Sequence, residues 1–211
     1  MSEDRVAALA AFWNARYAGD DYAYGTEPND FLVAQAALLP HGLPVLCLAD
    51  GEGRNGVWLA SRGFDVTSID VAQHGLDKAQ ALAKRAGVSV QTLRADVTRH
   101  ELGENRWGAI VSIFLHLPQR ARAQLLGRCV RALVPGGVFV FEAYGKRQPE
   151  YGTGGPPEPQ LLADLDDVIG ELDGLELVHR FDGVRAVHEG RHHHGDAHVV
   201  QVVARRKATT A

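Results

Sequence analysis

Asp50-Gly51-Glu52-Gly53-Arg54-Asn55-Gly56 is the segment whose residue types and spacing point most directly to chemistry. Glycines in such a run let the backbone approach a ligand closely, and a helix opening behind them offers unpaired N–H groups. Gly51-x-Gly53-x-x-Gly56 fits the fingerprint of a turn that holds a nucleoside cofactor. Two acids follow at useful places. Asp70 ends the next apolar run, where a carboxylate can take both hydroxyls of a ribose. Asp96 ends the one after that, where an acid can accept from an adenine amino group.

Cofactors of several kinds use such a turn, and three features favour S-adenosylmethionine over a nicotinamide dinucleotide. Glu52 stands between the glycines beside Asp50, where negative charge would repel a pyrophosphate but tolerates a sulfonium cation. Asp96 offers the adenine contact. About 40 residues with several aromatics precede the first strand, enough to form a lid. No Tyr-x-x-x-Lys pair of a short-chain reductase is present.

These residues need a scaffold, and the pattern supplies one. Apolar runs at Val45–Ala49, Phe64–Ile69, Val88–Leu93, Trp107–Phe114 and Val138–Ala143 read as strands. Helical patterns over Asn55–Arg62, Ala72–Arg85 and Gln119–Leu133 separate them, the last stopped by Pro135-Gly136-Gly137. Strands alternating with helices imply right-handed βαβ units on a parallel sheet. Leu175–Val187 and His198–Ala204 read as two final strands joined by a His-rich loop, which gives an antiparallel edge. A helix over Leu161–Leu172 precedes them. At the front, Asp4–Tyr17 is an amphipathic helix, and Asn29 caps a second helix reaching Leu39. The expected fold is thus α/β and Rossmann-like: a seven-stranded, mostly parallel sheet with helices on both faces. One domain is expected, with an N-terminal helical lid over 1–43, a cofactor core over 44–145, and a substrate loop and hairpin over 146–211.

Composition narrows the function classes. The 211 residues are 45% hydrophobic and 23% charged, which excludes wholesale disorder. A net charge of −4 argues against a broad nucleic-acid footprint. Two cysteines, Cys47 and Cys129, are too few for a disulfide framework and suit a reducing compartment. No run of about 18 apolar residues is present, and the first residues lack the order of a signal peptide. A cytoplasmic protein is expected, a monomer or homodimer acting on a small molecule without membrane or nucleic-acid partners.

The chain resembles class I S-adenosylmethionine-dependent methyltransferases, in the branch similar to tellurite-resistance and thiopurine methyltransferases. The resemblance rests on Trp13-x-x-x-Tyr17, the segment Tyr24-Gly25-Thr26-Glu27-Pro28-Asn29, the run from Leu48 to Asn55, Asp70, Asp96, the turn Phe114-Leu115-His116-Leu117-Pro118, and Leu133-Val134-Pro135-Gly136-Gly137. It implies that Gly51 and Gly53 pass the methionine part of the cofactor, with Ala49, Asp50, Glu52, Asn55 and Val71 also among the cofactor-binding residues. It implies further that Asp70 holds the ribose, that Asp96 and Val97 frame the adenine, and that Trp13 and Tyr17 close over the cofactor. Phe114 would lie beside the sulfonium. Two positions depart from the family pattern: Cys47 replaces an acid in the first strand and Ala49 replaces the first glycine. Asp50 and Glu52 are the candidates to replace the lost acid.

His116, after the fourth strand, is the candidate general base or substrate contact. Tyr22, Tyr24, Tyr144 and Tyr151 are candidates for the acceptor pocket, and the Gly/Pro-rich loop from Tyr151 to Pro157 for a substrate lid. The run Glu189 to His198, with His192-His193-His194, invites a metal, but consecutive histidines point in different directions, and no metal is expected. Arg120, Arg122, Arg128 and Arg131 read as a solvated helix face. The expected reaction is methyl transfer to a small nucleophile, a thiol or a selenium or tellurium oxyanion. A non-catalytic S-adenosylmethionine-binding domain and a nicotinamide-linked oxidoreductase remain the alternatives.

Overall fold

A computed structural model describes residues 3–190 and 193–208. Its centre is one seven-stranded sheet in the order β3-β2-β1-β4-β5-β7-β6. The strands are β1 Val45–Leu48, β2 Val66–Asp70, β3 Gln91–Arg94, β4 Trp107–Ile113, β5 Leu133–Tyr144, β6 Leu175–Glu189 and β7 His193–Arg206. The first five are parallel, and β7 runs antiparallel between β5 and β6. The helices are α1 Glu3–Tyr17, α2 Asp30–Gln35, α3 Arg54–Ser61, α4 Gln73–Ala86, α5 Gln119–Ala132 and α6 Leu165–Glu171. None is long and apolar enough to cross a membrane among the described residues.

Strand alternation sends neighbouring residues to opposite faces. In β1, Leu46 and Leu48 enter a core shared with Leu125, Leu126 and Cys129 of α5 and Val168 of α6. Val45 and Cys47 enter the other core, with Phe31 and Leu32 of α2, Val57 and Leu59 of α3 and Ala83 of α4. Burial on both faces explains why β1 is apolar throughout. Each fully buried leucine there is worth about 2 kcal/mol. Both cysteines are buried free thiols, and burial pushes them up, Cys129 to about 12.

The structure corrects several boundaries. Pro135-Gly136-Gly137 does not stop α5; the chain turns extended at Leu133, which pairs with Trp107, and β5 runs through the glycines. The helix expected from Leu161 starts at Leu165, because Asp164 caps it by accepting from the Asp166 and Asp167 N–H groups. β6 and β7 extend to Glu189 and from His193, so His193 and His194 are strand residues rather than loop. His192 lies outside the described residues. Arg122 is not solvated: it is buried and donates two hydrogen bonds to Glu171 of α6, at 2.7 and 3.0 Å.

Candidate functional site

The strand order reverses between β1 and β4, and ligands of open α/β sheets bind outside the carboxyl ends of the strands at such a switch point. The glycine turn leaves β1 there and opens α3. Gly53, at φ 85°, is the residue that precedes α3, and a methyl group on it would overlap Ala79 of α4. Gly51, at φ 54°, lies under the Tyr17 ring, whose hydroxyl would sit 2.7 Å from an added Cβ. Trp13 stacks on Tyr17 at 5.5 Å. The aromatic pair of α1 therefore rests on the glycine turn. Burial, with Asp70 close by, pushes the Tyr17 hydroxyl well above its ordinary range.

Asp70 is buried at the end of β2, and it shapes the turn. Its Oδ2 accepts from the Gly51 N–H at 2.9 Å and its Oδ1 from Ala72 at 2.8 Å. Burial raises its pKa, against the pull of these N–H groups. Beyond Asp70, a cavity of about 440 Å³ opens between α1 and the ends of β2 and β3. Val6, Ala7 and Ala10 form one wall; Val71, Ala95 and Asp96 face them. Asp96 uses Oδ1 to hold the Thr98 N–H and hydroxyl, both at 2.8 Å. Its Oδ2 is shielded from water and has no hydrogen-bond partner. An acceptor without a donor, beside a slot lined by small apolar side chains together with Arg94 and Arg99, fits a flat ring that carries an amino group. The adenine of S-adenosylmethionine is such a ring. Val97 does not line this slot; it turns into the core and its carbonyl accepts from Arg128.

The two acids expected to replace the missing strand acid are already committed. Asp50 Oδ2 accepts from the Ser68 hydroxyl at 2.6 Å and the Gly56 N–H at 3.2 Å, and burial pushes this carboxyl up to about 7. Glu52 is buried, accepts from the Ala23 N–H at 2.7 Å and pairs with Lys78 at 2.8 Å. It anchors the loop before α2 to α4. Asn55 likewise accepts from the Asn29 N–H at 2.9 Å.

On the β4 side of the switch point, Phe114 holds φ 53° and its N–H donates to the Glu142 carbonyl. Its ring begins a wall with Tyr144 at 4.7 Å, His193 at 4.6 Å and, beyond His193, Tyr24 at 4.7 Å. His116 lies parallel to Tyr144 at 5.5 Å. Burial and the neighbouring His193 push His116 down to about 3, so it is neutral near pH 7. Tyr22 is not part of the wall: its hydroxyl donates to the Lys78 carbonyl and its ring lies under Lys78 and Arg85 on α4. Tyr151 makes its contact with Arg147. The loop carrying it is tied down, since Gln148 donates to Thr153 and Thr153 to the Asp196 carbonyl. Groups of three metal-binding side chains are absent among the described residues.

Behind the wall lies a buried charge network that the sequence did not reveal. Glu142 of β5 accepts two hydrogen bonds from Arg185 of β6, at 2.7 and 2.8 Å, one from Gln201 at 2.7 Å and one from Asn29 at 2.6 Å. Glu189 accepts from Arg54, Arg185 and Asn29. Burial would raise Glu189, but His193, Arg54 and Arg185 outweigh it and hold it at about 2. Two arginines and two glutamates thus tie the first residue of α3 to the C-terminal strands.

The comparisons agree with this fold. Residues 45–137 match the family model described as a methyltransferase domain. The chain is 28% identical over 208 residues to an uncharacterized protein of Mycobacterium tuberculosis, spanning 86% of this chain and 76% of that one. It superposes with a TM-score of 0.76 on a protein solved in work on conversion of a disulfide bond into a thioacetal group during echinomycin biosynthesis, at 19% identity over 96% and 93% of the two chains. TehB from Haemophilus influenzae gives a TM-score of 0.70 at 18% identity over 94% and 67%. The fold is that of the class I methyltransferases. Residues 45–137 form a methyltransferase domain, and the activity and cofactor that go with it are methyl transfer and S-adenosylmethionine.

Proposed function

We propose that this enzyme methylates a small molecule through a soft nucleophile, a thiol before a selenium or tellurium oxyanion. When bound, S-adenosylmethionine supplies a methyl group activated by its positive sulfur. Asp96 and Asp70 hold the adenosine, and Tyr17 with Trp13 covers the turn beneath it. The acceptor meets the wall of Phe114, Tyr144 and Tyr24. Alignment and exclusion of water in such a site can supply about 7–11 kcal/mol without a covalent step. The observation that carries the reading is the absence of a base at the wall: among the described residues, neither ring nitrogen of His116 nor the Tyr144 hydroxyl has a hydrogen-bond partner that could prime it, so the acceptor arrives with its nucleophile ready.

The test is calorimetric titration of S-adenosylhomocysteine into wild type and Asp70→Ala, with NADH as control, followed by a panel of thiols, selenite and tellurite. Micromolar binding lost in Asp70→Ala, with turnover of thiols, supports the proposal. Turnover only of acceptors that need a base, or of none in the panel, would sink it.

A further inference from the structure

Val6, Ala7 and Ala10 of α1 form one wall of the slot of about 440 Å³, yet α1 itself is lightly anchored. Of residues 4–17, Ala10 and Tyr17 are buried and the others are partly or fully exposed. An element with so little buried apolar surface opens at low cost unless polar contacts hold it.

Those contacts converge on Asn14. The first N–H groups of a helix and its last carbonyls have no partner within the helix. α4 opens after Ala72, which has no side-chain oxygen to cap it. The cap comes from α1 instead. Asn14 Oδ1 accepts from the His74 N–H, in the second position of α4, at 2.9 Å. The exchange is reciprocal: the Asn14 carbonyl, in the last turn of α1, accepts from His74 Nδ1 at 3.0 Å. A carbonyl cannot donate, so Nδ1 carries the proton. The Asn14 amide reaches back to the Ala10 carbonyl at 2.8 Å. One side chain therefore links the slot wall to the start of α4.

The start of α4 is also where the cofactor residues meet. Ala72 donates to Asp70 Oδ1 and packs against Tyr17. A Cβ added to Gly75 would stand 2.9 Å from the Gly51 carbonyl oxygen and 3.0 Å from the Tyr17 ring. Any lift of α1 at Asn14 thus loosens Ala10 over the slot and Tyr17 over the glycine turn together.

We propose that Asn14, through His74, is a positioning residue for the cofactor: it holds α1 down as the wall of the slot and so sets how fast S-adenosylhomocysteine, the demethylated product, leaves. The proposal rests on the assignment of this slot to the adenine. Asn14 acts through Ala10 and Tyr17. A ligand beneath α1 leaves when the Asn14–His74 contact opens, and losing a cap contact makes that exit about tenfold faster.

The test compares wild type, Asn14→Ala and Asn14→Asp. Aspartate keeps an acceptor for the His74 N–H, and its charge suits a helix N-terminus. Two quantities are read: dissociation of S-adenosylhomocysteine by surface plasmon resonance, and hydrogen exchange of the α1 amides in the protein alone. In Asn14→Ala, dissociation quickens about tenfold, association stays within threefold, and the α1 amides exchange faster. In Asn14→Asp both quantities return to within threefold of wild type. A merely structural cap would lower the unfolding midpoint of Asn14→Ala and leave dissociation alone. Dissociation within twofold of wild type in Asn14→Ala, unchanged exchange of α1, or Asn14→Asp as fast as Asn14→Ala overturns the proposal. Asp96→Asn is the control for the slot: if it binds S-adenosylhomocysteine as wild type does, the adenine assignment falls instead, and the exchange of α1 still decides whether Asn14 holds the helix.

Discussion

Ala49 and Phe114 stand one residue beyond the neighbouring strands β1 and β4, and both hold left-handed backbone, at φ 50° and 53°. Neither is glycine, so each position stores about 1–3 kcal/mol of strain. The strain falls on both sides of the crevice where the strand order reverses. At Phe114 it aims an aromatic ring into the wall. At Ala49 it aims nothing comparable. Ala49→Gly is therefore expected to stabilise the fold by about 1 kcal/mol, read by urea unfolding, and to change S-adenosylhomocysteine affinity less than threefold.

Asp96 tests the cofactor slot without disturbing its frame. Asp96→Asn keeps an oxygen for Thr98 but presents a donor where Oδ2 was an unmatched acceptor. S-adenosylhomocysteine should bind about tenfold more weakly by calorimetry, a loss of about 1.4 kcal/mol, with an unchanged circular dichroism spectrum. Unaltered affinity would remove Asp96 from the site.

Gly53 tests the turn against α4. Gly53→Ala combines a left-handed φ with overlap at Ala79 and should destabilise by about 2 kcal/mol or more in denaturant. Gly63, also left-handed but with open space around it, is the control; Gly63→Ala should cost about 1 kcal/mol.

Asn29 tests the charge network. Its side chain caps α2 through Leu32 and donates to both Glu142 and Glu189. Asn29→Ala should destabilise by about 3 kcal/mol, since it removes a cap and leaves two buried carboxylates short of a donor. A cost under 1 kcal/mol would mean that the arginines alone satisfy them.

Asp50 sets a pH dependence. Its carboxyl is held at about 7 in the fold against 3.8 for the ordinary group, so between these values the folded state binds more protons than the unfolded chain. Stability contributed by Asp50 therefore falls as pH rises from about 4 to 7. His116, held at about 3 against 6.5, acts in the opposite sense over pH 3 to 6.5. Asp50→Asn should remove the first component: its unfolding free energy should rise relative to wild type as pH goes from 5 to 8. Parallel curves for the two proteins would contradict the burial argument.

Much of the site could be read from local sequence, because the glycine turn, Asp70 and Asp96 each sit at the end of an apolar run. Positions at strand ends follow from period and spacing alone. The charge network could not be read this way. Its Asn29–Glu189 hydrogen bond joins residues 160 apart, and the Asn29–Glu142 one joins residues 113 apart. Arg122 misled for a related reason: its partner Glu171 lies 49 residues on, in a helix whose packing no local pattern reports. Tyr22 and Tyr24 are two residues apart and share a loop, yet Tyr22 goes to α4 and Tyr24 to the wall. The Glu52 side chain, which takes the Ala23 N–H between them, separates their paths. The strand limits at Leu133 and His193 were hidden by glycine and histidine, which weaken a strand pattern without preventing pairing.

The long strand β6 forms one edge of the sheet and leaves Leu177, Val178, Phe181 and Val184 exposed. Such an edge invites a second molecule to add a strand and begin a stack. The pairing register of β6 slips between Leu177 and His179, which interrupts the even spacing of backbone donors and acceptors that a growing stack needs. Arg180 and Asp182 follow at once, so an incoming strand would meet charge next to the irregularity. The bulge thus guards this long edge against runaway growth, and straightening it by deleting Val178 is expected to raise thioflavin T binding on standing above that of wild type.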